Sequence, residues 1–215
     1  MADMEELKTK VADQIQTSST TTNIGKALGV TLVFLSCAIG IVGFLWNSEP
    51  ALFNVTAVTE ITLRERNLNQ VTGSTTVATM IEVTEILLNK RGGYLTNDIM
   101  PPGVWMDNVP NWEFGVLVQV RDMARTLRNN LSRSQSQSTE DVGLVNSENQ
   151  FYFDSDSWML PETESEYSKG IEALEDYLDR LAQTSSSNAQ FYARADNLRA
   201  WLSEVETRLG SLSQR

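Results

Sequence analysis

The chain has 215 residues, a formal charge of −11 at neutral pH, a single cysteine (Cys37) and no histidine. Without histidine, the Ser-His-Asp and Cys-His forms of catalysis and the histidine-containing zinc sites are excluded. One cysteine forms neither an internal disulfide nor a thiolate cluster. A net negative charge without a basic patch argues against nucleic-acid binding. We therefore predict no cofactor, no metal site, no catalytic centre and no nucleic-acid partner.

The first 26 residues carry a weak helical pattern followed by a polar run. Apolar residues at helical spacing predict a short amphipathic helix over Met4, Leu7, Val11 and Ile15. The run TSSTTTN (17–23) then predicts a linker or the start of the next helix. Residues 1–26 are therefore predicted to be a short amphipathic segment with a linker.

Residues 27–46 read ALGVTLVFLSCAIGIVGFLW, a run of 20 residues without a charge. As a helix such a run is about 30 Å long, which matches the hydrocarbon core of a bilayer. A buried core helix would usually show a polar stripe, and a cleaved signal peptide would show a small-x-small site that NSEPALF does not supply. The run therefore predicts a transmembrane helix that contacts the lipid bilayer through residues 27–46.

Positive charges flank this helix unevenly. Lys8, Lys10 and Lys26 precede it, and the first positive residue after it is Arg64. The positive-inside rule then places the N-terminus in the cytoplasm and the rest of the chain, from residue 47, outside it.

Small residues on the predicted membrane helix form two pairs four positions apart. Such pairs allow two helices to approach closely in lipid, which makes a homo-oligomer one alternative for this chain. The predicted helix-packing face comprises Gly25, Gly29, Ser36 and Gly40.

Residues 47–73 are predicted to connect the membrane helix to the remainder. Apolar residues alternate with more polar ones from Phe53 to Leu63, which alone would indicate a strand. No second convincing strand is present to satisfy its backbone groups. A short strand stays open, but a helix or an extended connector is favoured.

Residues 74–215 are predicted to be a helical domain. Helices are predicted over 74–90, from an N-cap at Asn111 to about 132, and near 140–150. Two later stripes at four-three spacing predict an antiparallel, coiled-coil-like hairpin of the last two helices. The first stripe comprises Tyr167, Ile171, Leu174, Leu178 and Leu181, and the second comprises Phe191, Ala195, Leu198, Leu202, Val205, Leu209 and Leu212. The predicted fold class is all-α, with one N-terminal transmembrane helix and an extracytoplasmic bundle ending in that hairpin.

Two loops are rich in aromatic residues, GGYLTNDIMPPGVWMDNVPNWEFG (92–115) and FYFDSDSWMLP (151–161). Their rings either face solvent as a surface for a partner or ligand, or fold inward and cap the bundle. We favour the inward arrangement, and a cleft between the loops is the predicted binding site if they meet. The candidate surface residues are Tyr94, Trp105, Trp112, Phe114 and Trp158.

Charged residues offer weaker candidates. Asp154 and Asp156 suggest a calcium loop, but Trp158 stands where a third oxygen ligand is needed, so turn formation is favoured. Three arginines form a stripe on the helix after the first loop, and we expect them to pair with carboxylates rather than bind an external anion. They are Arg121, Arg125 and Arg128.

Three long segments carry a family resemblance, namely GGYLTNDIMPPGVWMDNVPNWEFGVLVQVRDMARTLRNNLSRSQSQSTED, FYFDSDSWMLPETESEY and AQFYARADNLRAWLSEVETRLGSLSQR. They resemble a proteobacterial family of single-span inner-membrane proteins known as a domain of unknown function. The resemblance implies an inner-membrane anchor and a periplasmic helical domain. It also implies a longer natural chain, which agrees with a final stripe that has no stop signal. It implies no activity and no functional residues.

These observations predict a membrane-anchored periplasmic protein that is a structural or interaction component of a cell-envelope assembly, with a protein partner there. The alternative is a periplasmic ligand-binding module that recognises glycan or another envelope molecule through its aromatic loops. A carboxylate-based enzyme is a third and weaker hypothesis, because nothing in the spacing of the acidic residues selects a pair.

Overall fold

The computed structural model describes residues 2–134, 139–183 and 188–212, and within them the chain forms α-helices and no strand. The predicted all-α class is confirmed. The seven α-helices of the described residues are α1 (Ala2–Trp46), α2 (Val55–Glu65), α3 (Ser74–Asn89), α4 (Asn108–Thr126), α5 (Val142–Phe151), α6 (Thr163–Ala182) and α7 (Ala195–Leu212). A 3-10 turn spans Gly103–Trp105, and a π-helical turn extends α4 over Leu127–Leu131.

The chain divides into two compact units, Met1–Trp46 and Asn47–Arg215. In the first unit α1 is continuous through the polar run 17–23, where a linker was the alternative. Its segment Gly25–Trp46 has 22 residues, is long and apolar enough to cross a membrane as a span or signal anchor, and has none of its apolar window buried. The side chains of residues 6–24, and with them most of the predicted amphipathic face, lie outside the described part of the chain.

The connector contains a helix rather than a strand. Helix α2 begins after Asn54, whose side-chain oxygen accepts a hydrogen bond from the amide of Ala57 at 3.0 Å. It buries Thr59 and Leu63, which are spaced four residues apart. Only Thr59 and Leu63 of the alternating residues are buried, whereas Val55 and Ile61 are exposed, so the alternation does not reflect a half-buried strand.

The core of the second unit is built around α3 and α6. Helix α6 packs on α5 and α3, α3 also packs on α2 and α4, and α4 packs on α5. The helices alternate in direction, so α3 and α5 end, and α4 and α6 begin, at the same end of the bundle. We call it the loop end because it carries both aromatic loops. The other end is closed by polar contacts such as the Arg66 guanidinium, which donates to both Asp179 carboxylate oxygens at 2.8 and 2.7 Å.

Helix α4 begins three residues before the predicted N-cap. Its first residue is Asn108 and Asp107 precedes it, so Pro110 lies in the first turn. A proline is tolerated there because the amides of the first turn have no partner within the helix. Placing the start after Pro110 was therefore too late.

The pairing of the last two helices differs from the predicted hairpin. The apolar face of α6 is already covered by α5 and α3, which leaves no face for α7. Instead, Asn197 donates to the Asn130 carbonyl at 2.8 Å and Arg208 donates to the Asp122 carboxylate at 2.8 Å. A later residue of α7 thus contacts an earlier residue of α4, so α7 lies antiparallel to α4 and its π-helical turn. Most of the predicted connection QTSSSNA, at 184–187, lies outside the described residues.

An ion pair braces α5 against α6 at the end opposite the loops. The Arg180 guanidinium donates to both oxygens of Asp141 at 2.6 and 2.8 Å. Asp141 also caps α5 by accepting from the amides of Gly143 and Leu144. Burial raises the pKa of Asp141, but the hydrogen bonds and charge of Arg180, with the two amides, outweigh it and hold that pKa below its usual value.

Asp141→Asn retains the cap but removes the charge, and we expect it to lower the free energy of unfolding at pH 7 by about 1–3 kcal/mol. The folded pKa of Asp141 is depressed, so its contribution is present above the unfolded pKa of about 3.9 and is lost as pH falls through the folded pKa. The difference between variant and parent should therefore shrink below about pH 4. Urea denaturation at pH 7 and pH 3 measures it, and an unchanged difference at pH 3 would contradict the assignment.

Candidate interaction surface

The α3–α4 loop is held to the bundle by a buried ion pair. Glu113 on α4 is fully buried, and Lys90 at the end of α3 has only 3% of its side chain exposed. The Lys90 ammonium donates to the Glu113 carboxylate and to the carbonyl of Gly93. That carboxylate also accepts from the amide of Leu95 at 2.9 Å and from the amide and hydroxyl of Thr96 at 2.8 and 2.5 Å. The first residues of the loop are thereby fixed on α4.

A second anchor is a cluster of buried aromatic rings. Tyr94 meets Tyr167 of α6 edge-on with ring centroids 5.9 Å apart, and Tyr167 meets Phe151 of α5 at 6.3 Å. The Tyr94 hydroxyl donates to the Ser155 carbonyl at 3.0 Å. Burial raises the pKa of the Tyr94 hydroxyl, so it stays protonated as a donor. Tyr94 of the first aromatic loop is thus joined to the second loop by this hydrogen bond and to α6 by the ring contact with Tyr167.

A third set of contacts joins the two loops directly. The Asn97 side-chain amide donates to the Ser157 carbonyl at 3.0 Å and to the Glu164 carboxylate at 2.7 Å. The Ser157 carbonyl also accepts from the amide and hydroxyl of Thr163, at 3.0 and 3.1 Å, where α6 begins. The two loops therefore meet at one end of the bundle, which is the condition for the cleft hypothesis.

Apolar side chains face solvent on either side of this junction. Trp105 is 71% exposed, Trp158 is 53% exposed and Leu160 is 96% exposed. Trp158 and Leu160 lie within three residues of the anchored Ser157, and Trp105 ends the 3-10 turn Gly103–Trp105. We call this set the loop surface, and its members are Ile99, Met100, Val104, Trp105, Trp158, Met159 and Leu160.

The five candidate residues divide between the two predicted arrangements. Tyr94 is buried and Trp112 packs partly buried against the core, as the inward arrangement requires. Trp105 and Trp158 belong to the loop surface, and Phe114 is half exposed on the first part of α4. The loop therefore has a buried base and an exposed tip, so neither alternative describes it completely.

The predicted helix-packing face on α1 is exposed in the single chain. At Gly25, Gly29 and Gly40 an added Cβ would meet no atom within 4 Å, and Ser36 is likewise exposed with its hydroxyl donating to the Leu32 carbonyl at 2.9 Å. The face therefore has the open surface that a second helix requires, and the association itself stays a prediction.

The charged candidates take structural positions. Arg125 and Arg128 pair with Glu148 at 3.4 and 2.9 Å, as expected. Arg121 instead donates to the carbonyls of Phe151 and Phe153 at 2.6 and 2.8 Å, where α5 ends. The carbonyl of Asp154 accepts from the Thr163 hydroxyl, and the described residues contain no group of three potential metal ligands.

A comparison with known protein families finds one match. An uncharacterised protein family conserved in bacteria, DUF2333, matches residues 17–215, which is most of the chain. The chain belongs to this family. No curated protein matches the chain, and no solved structure matches it. Membership in DUF2333 supplies no activity and no assigned residue, so the features of this member must be interpreted from its own geometry.

The most important anchor of this DUF2333 member was missed from its sequence. Glu113 was not a candidate, although it falls on the same helical stripe as Val109, Leu117, Val120 and Ala124, all of which are buried. A charged residue on an apolar stripe of a predicted helix is the signal that would have found it. Its partner Lys90 could not be chosen from the sequence, because the loop between them sets the geometry.

The loop end also carries the attachment of the bundle to the preceding part of the chain. An open groove there is lined by Ser48, Glu49, Pro50 and Ala51 and, on the α3 side, by Glu82, Glu85, Ile86, Asn89, Lys90 and Arg91. Lys90 thus lines the groove and also holds the α3–α4 loop. Residues 48–52, which we call the attachment segment, and the aromatic loops therefore share one end of the helices.

Proposed function

We propose that the chain is a single-span protein of the proteobacterial inner membrane, with a cytoplasmic N-terminus and a periplasmic helical domain. Support comes from the apolar helix Gly25–Trp46 and from the lysines that precede it. The domain acts by interaction, as a component of a cell-envelope assembly, and has no catalytic role. Its buried carboxylates support this, since Glu113, Asp122 and Glu148 each face a cation of the same chain.

The observation that carries the proposal is the bare apolar stripe of α7. Leu198, Leu202 and Leu209 are each more than half exposed, and Val205 is partly exposed between them. Their four-three-four spacing is that of a coiled-coil seam, whose natural occupant is another helix. Helix α7 is meanwhile held to α4 by polar contacts on a different side, so the stripe is oriented and free. The partner we propose is a helix of another envelope protein.

Photo-crosslinking in intact cells tests this interaction. A photoreactive residue at Leu202 should form an adduct with a second protein, whereas the same residue at Glu172, exposed on α6, should not. Replacing Leu198 and Leu209 by serine should weaken the complex by about 100-fold or more and abolish the adduct, because each buried leucine contributes roughly 1.5–3 kcal/mol. Equal labelling at positions 202 and 172 would contradict the proposal, and an adduct of twice the chain mass would assign the seam to a homo-oligomer.

The alternative function, a ligand-binding module for glycan, has one observation in its favour. Trp105 and Trp158 expose their rings, and exposed rings can stack on sugars, whereas Tyr94 and Trp112 are packed inside and cannot contribute. Titration with cell-wall fragments should then change the tryptophan fluorescence of the parent but not of a W105F/W158F variant. Flat titrations of the parent would remove this alternative.

A further inference from the structure

The bundle is joined to the preceding helix at the end that carries the loop surface. Ser48 and Ala51 lie in the groove beside Asn89 and Arg91, at the point where α3 stops and the α3–α4 loop starts. Ser48 is two residues beyond Trp46, the last residue of the apolar segment. The covalent link from the apolar segment therefore enters the bundle at its loop end.

We propose that the loop surface rests on the lipid bilayer that holds the chain's own apolar helix, with Trp105, Trp158 and Leu160 inserted at the interface. The proposal deepens the one above and relies on the membrane anchor. It assigns the surface to lipid headgroups and upper acyl chains, not to glycan or a second protein. The domain then lies on the membrane with its loop end toward the lipid.

The side-chain chemistry of the loop surface suits this occupant. Tryptophan is favoured at membrane–water interfaces, where an apolar ring carries one polar N–H group. Leucine and methionine flank the two tryptophans, and Leu52 in the attachment segment is also fully exposed. Exposed apolar residues that are concentrated on two adjoining loops, and not scattered singly, mark an interaction site. Because the chain is tethered beside the lipid, even a weak individual affinity produces a populated contact.

The anchors beneath the loop surface make its exposure a stable property. Glu113 fixes the backbone of Leu95 and Thr96, and Asn97 fixes the neighbouring loop at Ser157. These contacts hold the backbone at the base of the first loop and in the middle of the second. A surface held open in this way is ready to insert without first rearranging, which reduces the entropy lost on binding.

Acidic side chains beside the loop surface predict how the contact with the bilayer depends on lipid charge. Asp107, Asp154, Asp156 and Glu162 are exposed beside the loop surface. Like charges repel an anionic bilayer, so apolar insertion and not electrostatic attraction must drive the contact. Docking should therefore be strongest on zwitterionic lipid and weaken as the anionic fraction rises.

Spin-label accessibility on the full chain in zwitterionic phospholipid vesicles tests the proposal. In a Cys37→Ser background, a nitroxide replaces Leu160 in one variant and Val142 in another. Val142 is the matched control, because it is an exposed apolar residue at the start of α5, away from the loop end. The ratio of collision with lipid-soluble oxygen to collision with a water-soluble nickel reagent is expected to be several-fold higher at position 160 than at position 142.

Each other outcome overturns the inference in a recognisable way. Equal ratios at positions 160 and 142 would place the loop surface in water. Protection of position 160 from both reagents would show that a protein or second copy covers it. A ratio at 160 that rises with added phosphatidylglycerol would contradict insertion driven by apolar side chains. Flotation with the vesicles separates these failures from failure of the anchor, because a chain that does not float lacks the proposed membrane helix.

Discussion

Replacing Glu113 by alanine is expected to lower the free energy of unfolding of the domain by about 3–5 kcal/mol, the cost of leaving a buried charge without its partner. The Lys90 ammonium would keep only the Gly93 carbonyl, and the amides of Leu95 and Thr96 would lose their acceptor. Chemical denaturation of the detergent-solubilised chain, followed by tryptophan fluorescence, measures the change.

Two variants separate the ion pair from the general effect of a substitution. Glu172→Ala, at an exposed site on α6, should change the free energy of unfolding by less than about 0.5 kcal/mol. Combining Glu113→Ala with Lys90→Met removes both charges, so the double variant should be less destabilised than the sum of the single ones. A cost below about 1 kcal/mol for Glu113→Ala would show that water enters the site and satisfies Lys90.

The same substitution also links stability to the loop surface. Without Glu113 the backbone at Leu95 and Thr96 is free to move, and the tip that carries Trp105 moves with it. In the spin-label experiment, the difference in collision ratio between positions 160 and 142 should then fall. Asn97 follows the freed Thr96, so it no longer holds Ser157 of the neighbouring loop in a fixed place. The ion pair is thus expected to order a surface that lies outside the core.

Replacing Phe151 by alanine is expected to cost about 3–5 kcal/mol, the range for deleting a buried aromatic ring. The ring is completely buried, meets Tyr167 edge-on, and covers Gly170 on α6. Its removal leaves a cavity between α5 and α6, and this packing is the most extensive helix pairing in the domain. Thermal unfolding monitored by circular dichroism measures the loss.

Gly170 provides the complementary test of the same contact. A Cβ at Gly170 would lie 2.6 Å from the Phe151 ring, so Gly170→Ala should cost about 1–3 kcal/mol despite the better helix propensity of alanine. Phe151→Leu combined with Gly170→Ala should cost less than the two changes added together. The matched control is Phe114→Ala, at a half-exposed phenylalanine, which should cost well under half as much as Phe151→Ala. Additive costs would contradict the contact.

Local patterns predicted the helices because the signals that specify them lie within one segment. The apolar positions of α3 and the glycines after it bounded that helix to within a residue, and Gly92 and Gly93 do adopt positive φ angles of 89° and 73°. The helix predicted near 140–150 is likewise present as α5, which begins after Asp141. Such features depend on residue spacing and on the backbone preferences of single residues, and both can be read from the sequence without the structure.

The hairpin and the loops could not be predicted in the same way. The stripe on α7 has correct coiled-coil spacing, yet spacing does not say which helix covers it, and α6 is already occupied by α5 and α3. Aromatic content likewise did not distinguish Tyr94, which is buried, from Trp105, which is exposed. That difference depends on contacts between residues far apart in the chain, such as Asn97 with Ser157.

The sequence by itself determined the helical class, most of the helix positions, the apolar segment, and the presence of one cysteine and no histidine. Only the tertiary structure decided which aromatic rings face solvent, which carboxylate is buried, and that the attachment segment and both loops share one end. The physical reason is that periodicity reports a preference for burial within one helix. The partner that fulfils this preference is chosen by packing and by buried charge pairing across the whole domain.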